Sequence, residues 1–582
     1  MNKPTIILAI LLFTLIAPIC FAEETIYPAT IGKLNAEVSL FGQGKITGLE
    51  SGEEAKLETI TFQDTEFQKI KMLKEELVIN GKIIPPKKYV LDGFGNKYAV
   101  FVINENGDFT YEIKADINTH ASIFNMVDYT LTGENNTMAE YTEQTEKIES
   151  SSIEIMTLEK NKIYSKTFFS TLNETVDWVN NYVEYAKGNE FRRYYLEQYS
   201  AVQTLINKKG VCDEFANLGA AILRSKKIPT RIAIGITFDG KEWGNHAWIE
   251  VYNQNMGTQG AWIPSDPTFR EAAFVDATHI KLGSFDDISN SKAKCYYPGT
   301  ATCYLDNQSK LPQVTIKNKE YFSSVTINSD TNNITANTWN DVNLTIKNTS
   351  KGTIAVPVTI KETYDTIIIR ENKKSVVLKA GEEQVITFKI FPKIDLETNE
   401  YATGTLTFSS LTNPFQKEVT IYPSEYTKTN GEVIVKDITP IAHEGTLKFI
   451  IEISNFYLEN KEAKILITAN RVDENTIETI PSMGTKIITN QFNQYETQPY
   501  TITIDVPGKI YIQKITPVNT KITLPGDTEK PTVIEKPIID NNTGSTGNEN
   551  NPTSYTVIAI IALLIGIAII IAIITIATKK YV

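Results

Sequence analysis

The sequence predicts a multidomain protein with an α+β core, all-β domains on both sides of that core and one transmembrane helix at the C-terminus. Segment 141–311 has apolar residues at helical spacing, followed by alternating strands, an order typical of α+β domains. The segments on either side show strand-like alternation and turn signals. Val557–Thr578 is an uncharged apolar run, long enough to cross a hydrocarbon core of ~30 Å as a helix.

The first residues indicate export. Residues 1–22 resemble a signal peptide, because Lys3 precedes the apolar stretch Ile6–Ala17 and the small residue Ala22 follows it. The alternative is an anchor that is not cleaved. In both cases the rest of the chain is expected outside the cytoplasm.

The last residues indicate membrane anchoring. The predicted transmembrane helix spans 554–578, and Lys579 and Lys580 follow it in a short tail at 579–582. Basic residues next to a membrane helix favour the cytoplasmic side. The polar segment 526–553 has too few apolar residues for a core and is predicted to be a stalk. We therefore expect a single-pass protein of the cell membrane with a large extracellular region.

Length and charge limit the remaining possibilities. The net charge is -12 and the outer part has no run of lysine and arginine, so the charge pattern of nucleic-acid binders is missing and no nucleic-acid partner is predicted. A region of about five hundred residues is too long for one core. Changes of pattern divide it into an N-terminal β-rich domain at 23–140, the α+β domain at 141–311 and β-sandwich domains at 312–425 and 426–525.

Two helices and then three strands are predicted within the α+β domain. The apolar residues from Val176 to Val183 fit one side of the first helix, which Ser170 or Thr171 could cap. The second helix is predicted at Cys212–Ser225. Strands are predicted at Arg231–Phe238, at His246–Tyr252 and around Ala261–Ile263.

The stretch KGVCDEF places Cys212 at the start of the second helix. A thiol with a pKa near ~8.5 is a poor nucleophile until it ionises. Unpaired N–H groups and the positive dipole end at a helix start favour the thiolate, and they could also stabilise an oxyanion. Gly210 permits a close approach, whereas Asp213 and Glu214 oppose the negative charge. Taken alone, Cys212 would more often be a buried, inert thiol.

An activated thiol needs a base, and His246 is the histidine that begins an alternating strand. It shares one face of that strand with Trp248 and Glu250, and Glu250 is expected to be a solvated or supporting group. Asp266 follows another strand, beside Pro264. Its carboxylate could accept a hydrogen bond from the far ring nitrogen of His246 and fix the tautomer.

Three stretches, GVCDEFA at 210–216, NHAWIEV at 245–251 and WIPSDPT at 262–268, resemble the three blocks of the transglutaminase-like superfamily. The resemblance covers about 141–283 and implies a papain-like α+β core. It also implies a catalytic triad in which Cys212 is the nucleophile, His246 is the general base and Asp266 is the carboxylate that orients His246. An oxyanion donor before the cysteine is part of the family pattern, and Gln203 is a candidate by analogy, with a surface glutamine as the alternative.

The triad predicts that Cys212 attacks an amide carbonyl to form a thioester while His246 protonates the departing amine. Attack by water would make the protein a peptidase or amidase, which is the favoured prediction. Attack by a lysine amine would make it a cross-linking transglutaminase. A non-catalytic surface binding or adhesion protein is the third possibility. We expect a protein or peptide substrate at the cell surface and no cofactor.

Two further cysteines, Cys295 and Cys303, are eight positions apart. In an exported segment they are predicted to form a local disulfide. The rival, a metal site that also uses His279, lacks the paired CxxC spacing of zinc sites, and no metal is predicted.

Overall fold

The computed structural model describes residues 30–517, except for 125–127, 132–135, 257–259, 292, 307–310, 363–365, 398–399, 412–413, 425–431, 444, 458, 470–471 and 494–498. The predicted signal peptide, stalk, transmembrane helix and tail, at 1–22, 526–553, 554–578 and 579–582, lie outside the described residues. Within the described ranges, no helix has both the length and the apolar character needed to cross a membrane.

The N-terminal region folds into seven antiparallel strands. They are β1 (Ile31–Thr47), β2 (Ala55–Ile60), β3 (Gln68–Ile79), β4 (Lys82–Ile84), β5 (Lys88–Leu91), β6 (Lys97–Ile103) and β7 (Gly107–His120). The long strands β1 and β7 pair over fourteen residues. Inward-facing residues such as Phe109 and Ile113 are buried while Thr110 between them is exposed, which is the alternation expected of a half-buried strand.

In its described residues the central region contains five α-helices and six strands. The helices are α1 (Ile153–Lys162), α2 (Phe168–Tyr182), α3 (Asn189–Glu197), α4 (Ala201–Asn207) and α5 (Cys212–Ser225), with 3₁₀ turns at Asn136–Thr142 and Ile288–Ser291. The strands are β8 (Glu184–Tyr185), β9 (Lys209–Gly210), β10 (Thr230–Phe238), β11 (Trp243–Asn253), β12 (Ala261–Ser265) and β13 (Ile280–Phe285). The last four form an antiparallel sheet in the order β12-β11-β10-β13, and β8 pairs with β9. Helix α5 is buried along most of its length and packs on β10 and β11.

The predicted helix cap needs a correction. Helix α2 begins at Phe168, with Thr167 as its N-cap rather than Ser170 or Thr171. The Thr167 side chain donates to Asp128, and Asp128 accepts the Phe169 N–H at 2.8 Å. A carboxylate distant in sequence therefore satisfies the helix start, which local pattern does not reveal.

Three strands after the central sheet return to the N-terminal sheets. They are β14 (Lys294–Tyr296), β15 (Thr302–Leu305) and β16 (Gln313–Tyr321). Strand β14 pairs with β2, whereas β15 and β16 both pair with β1. The predicted domain limits at 311 and 312 therefore need a correction, because 294–321 completes sheets that begin at Ile31. Alternation in a sequence indicates a strand but not its partner.

Cys295 in β14 and Cys303 in β15 form a disulfide bond, which links the two N-terminal sheets. We expect the Cys295→Ser, Cys303→Ser double variant to lower the free energy of unfolding of this region by about 2–3 kcal/mol, since an eight-residue separation closes a small loop. Urea unfolding followed by the fluorescence of the region's tyrosines would measure the loss. An unchanged midpoint would contradict the expectation, and Cys212→Ser is the matched control.

The remaining strands form two β-sandwiches. The first contains β17 (Val325–Asn328), β18 (Asn333–Thr335), β19 (Asn340–Asn348), β20 (Ile354–Glu362), β21 (Ile367–Ile369), β22 (Lys373–Leu378), β23 (Glu383–Pro392), β24 (Ala402–Ser409) and β25 (Phe415–Tyr422). The second contains β26 (Val433–His443), β27 (Thr446–Asn455), β28 (Lys461–Ala469), β29 (Val472–Ile480), β30 (Thr485–Asn493), β31 (Tyr500–Val506) and β32 (Lys509–Ile515). Each encloses its own apolar core between two sheets.

Candidate active site

The backbone before Cys212 is held by a short parallel pair of strands. Strand β9 ends at Gly210, two residues before the cysteine, and Gly210 lies opposite Tyr185 of β8. A Cβ atom on Gly210 would lie 2.3 Å from Cβ of Glu214, so any other residue would push this turn away. Gly210 thus allows the turn and the helix start to pack directly together.

Glu214 clamps the turn from inside the protein. Its side chain is fully buried, and its two oxygens accept the N–H groups of Val211 and Tyr199, each at 2.8 Å. Burial raises the pKa of Glu214 to about 8, against the lowering effect of the Val211 N–H. Glu214, expected from the sequence only to oppose a negative charge on the thiol, therefore also fixes the loop that precedes Cys212.

Cys212 is the first residue of α5 and its side chain is buried. Burial, followed by the negative charge of Asp213, raises the pKa of the thiol well above its ordinary value, while a hydrogen bond from the Ala247 amide works in the other direction. The helix start alone therefore does not make the thiolate the resting form. Ionisation of Cys212 requires a base.

His246 lies on β11, the strand that packs under α5. It is buried, and its Nε2 atom lies 2.6 Å from Oδ2 of Asp266. Because an ionised carboxylate only accepts hydrogen bonds, Nε2 carries the proton. The Phe269 ring stacks on the imidazole at a centroid distance of 4.9 Å. The histidine is thus fixed in orientation and tautomer, and Nδ1 is the nitrogen that can take a proton.

Asp266 is completely buried at the end of strand β12. Its Oδ1 atom accepts the Thr268 N–H at 2.6 Å and the Phe269 N–H at 3.3 Å. Burial would raise the pKa of this carboxyl, but the hydrogen bonds from His246 and His279 hold the pKa well below its usual range. Asp266 is therefore a fixed negative charge at neutral pH.

The structure brings the predicted triad residues to one place. Cys212 contacts the Ala247 amide, which directly follows His246, and Asp266 contacts His246. Asp213 also accepts a hydrogen bond from the Cys212 thiol, at 3.6 Å from the sulfur. The site consists of one thiol, one oriented imidazole and one buried carboxylate, the set required for nucleophilic thiol chemistry.

Gln203, the oxyanion candidate by analogy, is an exposed helix residue that closes a capping box with Ser200. The amide closer to the cysteine belongs to Gln198, whose Nε2 atom donates to Oδ2 of Asp213 at 3.3 Å. Sequence reasoning missed Gln198, because its left-handed backbone conformation at the end of α3 directs the chain toward the site. No local motif signals that conformation.

His279 is the second residue that sequence reasoning missed. It was considered as a metal ligand with Cys295 and Cys303, but these cysteines are in a disulfide. Instead, its Nε2 atom lies 3.1 Å from Oδ2 of Asp266, the same oxygen that His246 contacts.

Two clusters of three donor atoms lie near His279 within the described residues: one with His246 and Asp266, the other with Glu271 and Asp276. In both, donor atoms are already used for hydrogen bonds between members of the cluster. An ion would have to break these bonds, so we assign a metal to neither cluster.

Glu250 differs from the expectation of a solvated group. It is buried and contacts Arg231 on the adjacent strand β10 and Lys281 on β13, the next strand beyond it, with a further hydrogen bond from Ser284 at 2.8 Å. Burial would raise its pKa, but the charges of Lys281 and Arg231 lower it to about 2. This ion-pair network supports the sheet that carries His246.

We expect Glu250→Gln to lower the free energy of unfolding by about 3 kcal/mol at pH 7, because the variant loses a carboxylate whose pKa is depressed by more than two units and leaves the half-buried Lys281 without its partner. The folded-state pKa lies below the unfolded value of ~4.3. The stabilisation is therefore complete above that value and disappears as the pH falls through about 2. Urea midpoints at pH 7 and pH 2.5 measure this.

The exposed Glu462 supplies the control for this prediction, and Glu462→Gln should leave both midpoints near those of the wild type. If Glu250→Gln loses as much stability between pH 7 and pH 2.5 as the wild type does, the ion pairs of Glu250 with Arg231 and Lys281 do not supply the predicted stabilisation.

The sequence comparison identifies the same region. The transglutaminase-like superfamily matches residues 160–267, a range that contains Cys212, His246 and Asp266. No curated protein matches the chain in sequence.

Solved structures similar to this chain include a Cytophaga hutchinsonii protein described as a "Putative Cysteine Protease", which is 18% identical with a TM-score of 0.37 and covers 50% of this chain and 93% of its own. Red sea bream transglutaminase is 11% identical with a TM-score of 0.18 and covers 77% of this chain and 93% of its own. At these scores the family assignment rests on the sequence match and on the site. The chain contains, at residues 160–267, a domain of the transglutaminase-like superfamily, whose members are generally cysteine-dependent enzymes.

Proposed function

We propose that the protein is a thiol enzyme that acts on amide bonds of proteins or peptides through a Cys212 thioester, and that its usual reaction is hydrolysis. The observation that carries the proposal is the hydrogen bond from His246 Nε2 to the buried Asp266. It leaves Nδ1 as the basic nitrogen of a histidine whose next residue, Ala247, contacts the buried Cys212 thiol through its amide. This pairing has the donor and acceptor order that general-base activation requires.

The proposed reaction begins with transfer of the Cys212 thiol proton to Nδ1 of His246. The sulfur then bonds to the amide carbon, and the carbonyl electrons move onto its oxygen. When the C–N bond breaks, the His246 imidazolium gives its proton to the departing amine, and a thioester remains on Cys212. Asp266 stabilises the imidazolium in both steps. Water then attacks the thioester, with His246 again taking the proton, and releases the acid and free thiol.

Amine transfer is the second candidate, and a small cavity beside Phe269 favours it. Phe269, which stacks on His246, lines this cavity together with Asp239, Glu271 and Asp276. Arg270 also lines it but is paired with Asp177. The carboxylates of Asp239 and Asp276 on the cavity wall suit a cationic lysine side chain. An amine held there would compete with water for the thioester.

The cellular setting belongs to the same proposal. A signal peptide at 1–22, a stalk at 526–553 and a membrane helix at 554–578 would hold the enzyme at the cell surface with its C-terminus inside. The substrate would then be a surface or wall-associated protein or peptide. Protease accessibility of the catalytic domain on intact cells would test this placement.

A product assay with the full-length chain separates the reactions. Peptides containing glutamine and asparagine are incubated with the enzyme, with and without a labelled primary amine, and the products are identified by mass spectrometry. Hydrolysis predicts cleaved or deamidated peptides in both samples, whereas transfer predicts an amide-linked label. If wild type and Cys212→Ala give identical products, the enzymatic proposal fails and a binding or adhesion role of the β-domains becomes the better explanation.

A further inference from the structure

His279 is buried behind the triad and faces carboxylates through both of its ring nitrogens. Nε2 lies 3.1 Å from Oδ2 of Asp266, and Nδ1 lies 3.2 Å from Oδ1 of Asp276. The side chain has no exposed surface. The proposed reaction does not use His279 directly, although it shares one oxygen with His246.

The hydrogen bonds around these carboxylates define the charge of His279. Asp266 accepts two backbone N–H groups with its other oxygen. Asp276 accepts from the Thr278 N–H and hydroxyl with Oδ1 and from the Ile31 N–H with Oδ2. Carboxylates in these positions act only as acceptors, so both ring nitrogens of His279 must donate, and only the imidazolium form has two donors.

The other titratable groups described around His279 and His246 are Glu271, Cys212, Asp213 and Tyr185. Glu271 lies 3.8 Å from Nδ1 of His279, and burial raises the pKa of Glu271 well above its ordinary value. The hydrogen bonds to Asp266 and Asp276 outweigh burial and raise the pKa of His279 to about 10. On the other side of His246, Cys212 and Asp213 approach from α5, and the Tyr185 ring lies close to both.

The His279 ring lies 5.6 Å from the His246 ring, measured between centroids. At this separation two positive charges repel each other by an amount equivalent to one or two pH units in a partly screened interior. His279 also withdraws part of the Asp266 charge from His246, because both donate to one oxygen. Both effects disfavour a resting imidazolium at His246.

We propose that His279 is a positioning residue: a permanently charged imidazolium that holds Asp266 in place and keeps His246 neutral, and so available as a base, in the resting enzyme. The inference rests on the proposed function of Cys212 and His246. It adds a second histidine whose charge sets the pH range in which the thiol can be activated.

The test measures the alkylation rate of Cys212 by iodoacetamide between pH 4.5 and 9 in the full-length chain. Mass spectrometry of the labelled peptide distinguishes Cys212 from Cys20. In His279→Gln the positive charge is lost, so the Cys212–His246 pair releases its first proton less readily. The low-pH limb of the profile, which is the acid side where the alkylation rate falls, should therefore shift to higher pH by about one unit or more. His443→Gln, in the second β-sandwich, is the matched control and should keep the wild-type limb.

A purely structural role would lower stability or rate without moving the limb, and this outcome would overturn the proposal. If His279→Gln does not fold, NMR of the wild-type chain with ¹³C-labelled histidine rings tests the proposal, because it reports the protonation state of each ring as a function of pH. Signals of three histidines are assigned from His120→Gln, His246→Ala and His443→Gln, and the remaining signal must stay in the imidazolium position above pH 8. Titration of that signal between pH 6 and 7 would equally overturn the proposal.

The two proposals fail differently. If alkylation of wild-type Cys212 is insensitive to His246→Ala, the proposed function fails, and the ring titration still reports on His279. If alkylation depends on His246 while His279→Gln leaves the limb in place, only the inference about His279 fails.

Discussion

Replacing Cys212 by alanine is expected to lower kcat by at least about 10⁴-fold, because the sulfur forms the bond to substrate and no other group in the site can replace it. The fold should persist, since Cys212 occupies one end of α5 and the helix is held mainly by apolar residues such as Phe215, Leu218 and Ile222, all buried. Product formation measured by mass spectrometry, with circular dichroism to check folding, tests both parts.

Cys212→Ser gives the matched comparison. A hydroxyl in this buried position is harder to deprotonate than a thiol, so the serine variant should be nearly as inactive while it keeps the shape of the site. Turnover by the alanine variant above one per cent of wild type would contradict the role assigned to Cys212.

Asp266→Asn is expected to lower kcat/KM by about 10³–10⁴-fold with little change in the fold. The asparagine oxygen can still accept the N–H groups of Thr268 and Phe269, so the turn after β12 remains closed. Its NH₂ group would then face Nε2 of His246. This nitrogen must become an acceptor, which places the proton on Nδ1, so His246 has the wrong tautomer for accepting the thiol proton.

Rates with a peptide substrate identified in the product assay measure this loss. Asp341→Asn, the same substitution at an exposed residue of the first β-sandwich that pairs with Lys389, should retain the wild-type rate. If Asp266→Asn keeps more than about a tenth of the activity, Asp266 does not orient the base.

The elements that carry the three proposed triad residues could be predicted because each residue lies in a short local pattern. Cys212 follows a glycine turn and starts an amphipathic helix, His246 starts an alternating strand, and Asp266 lies between prolines. Their grouping into a triad was implied by the resemblance to the transglutaminase-like superfamily rather than by spacing along the chain. The strand-like alternation predicted for the flanking segments is likewise seen in β19 and β27, where alternate residues at Val342–Ile346 and Leu447–Ile453 are buried.

What the sequence did not reveal depends on contacts between distant segments. Glu250 is buried because Arg231 on the adjacent strand and Lys281 on the strand beyond it both contact its carboxylate, and an isolated glutamate in a sequence gives no sign of such partners. Strand β16 pairs with β1, about 280 positions earlier. His279 faces Asp266 through a loop whose course is determined by tertiary packing rather than by local propensity.

The most direct test of the central claim, that Cys212 and His246 form an activated pair, is the rate of Cys212 alkylation against pH in wild type and in His246→Ala. The account predicts rapid labelling near neutral pH in the wild type and much slower labelling in the variant, because burial and Asp213 leave the thiol dependent on its base. Labelling that rises only above pH ~8.5, as for an ordinary thiol, and that is the same in both proteins would contradict it.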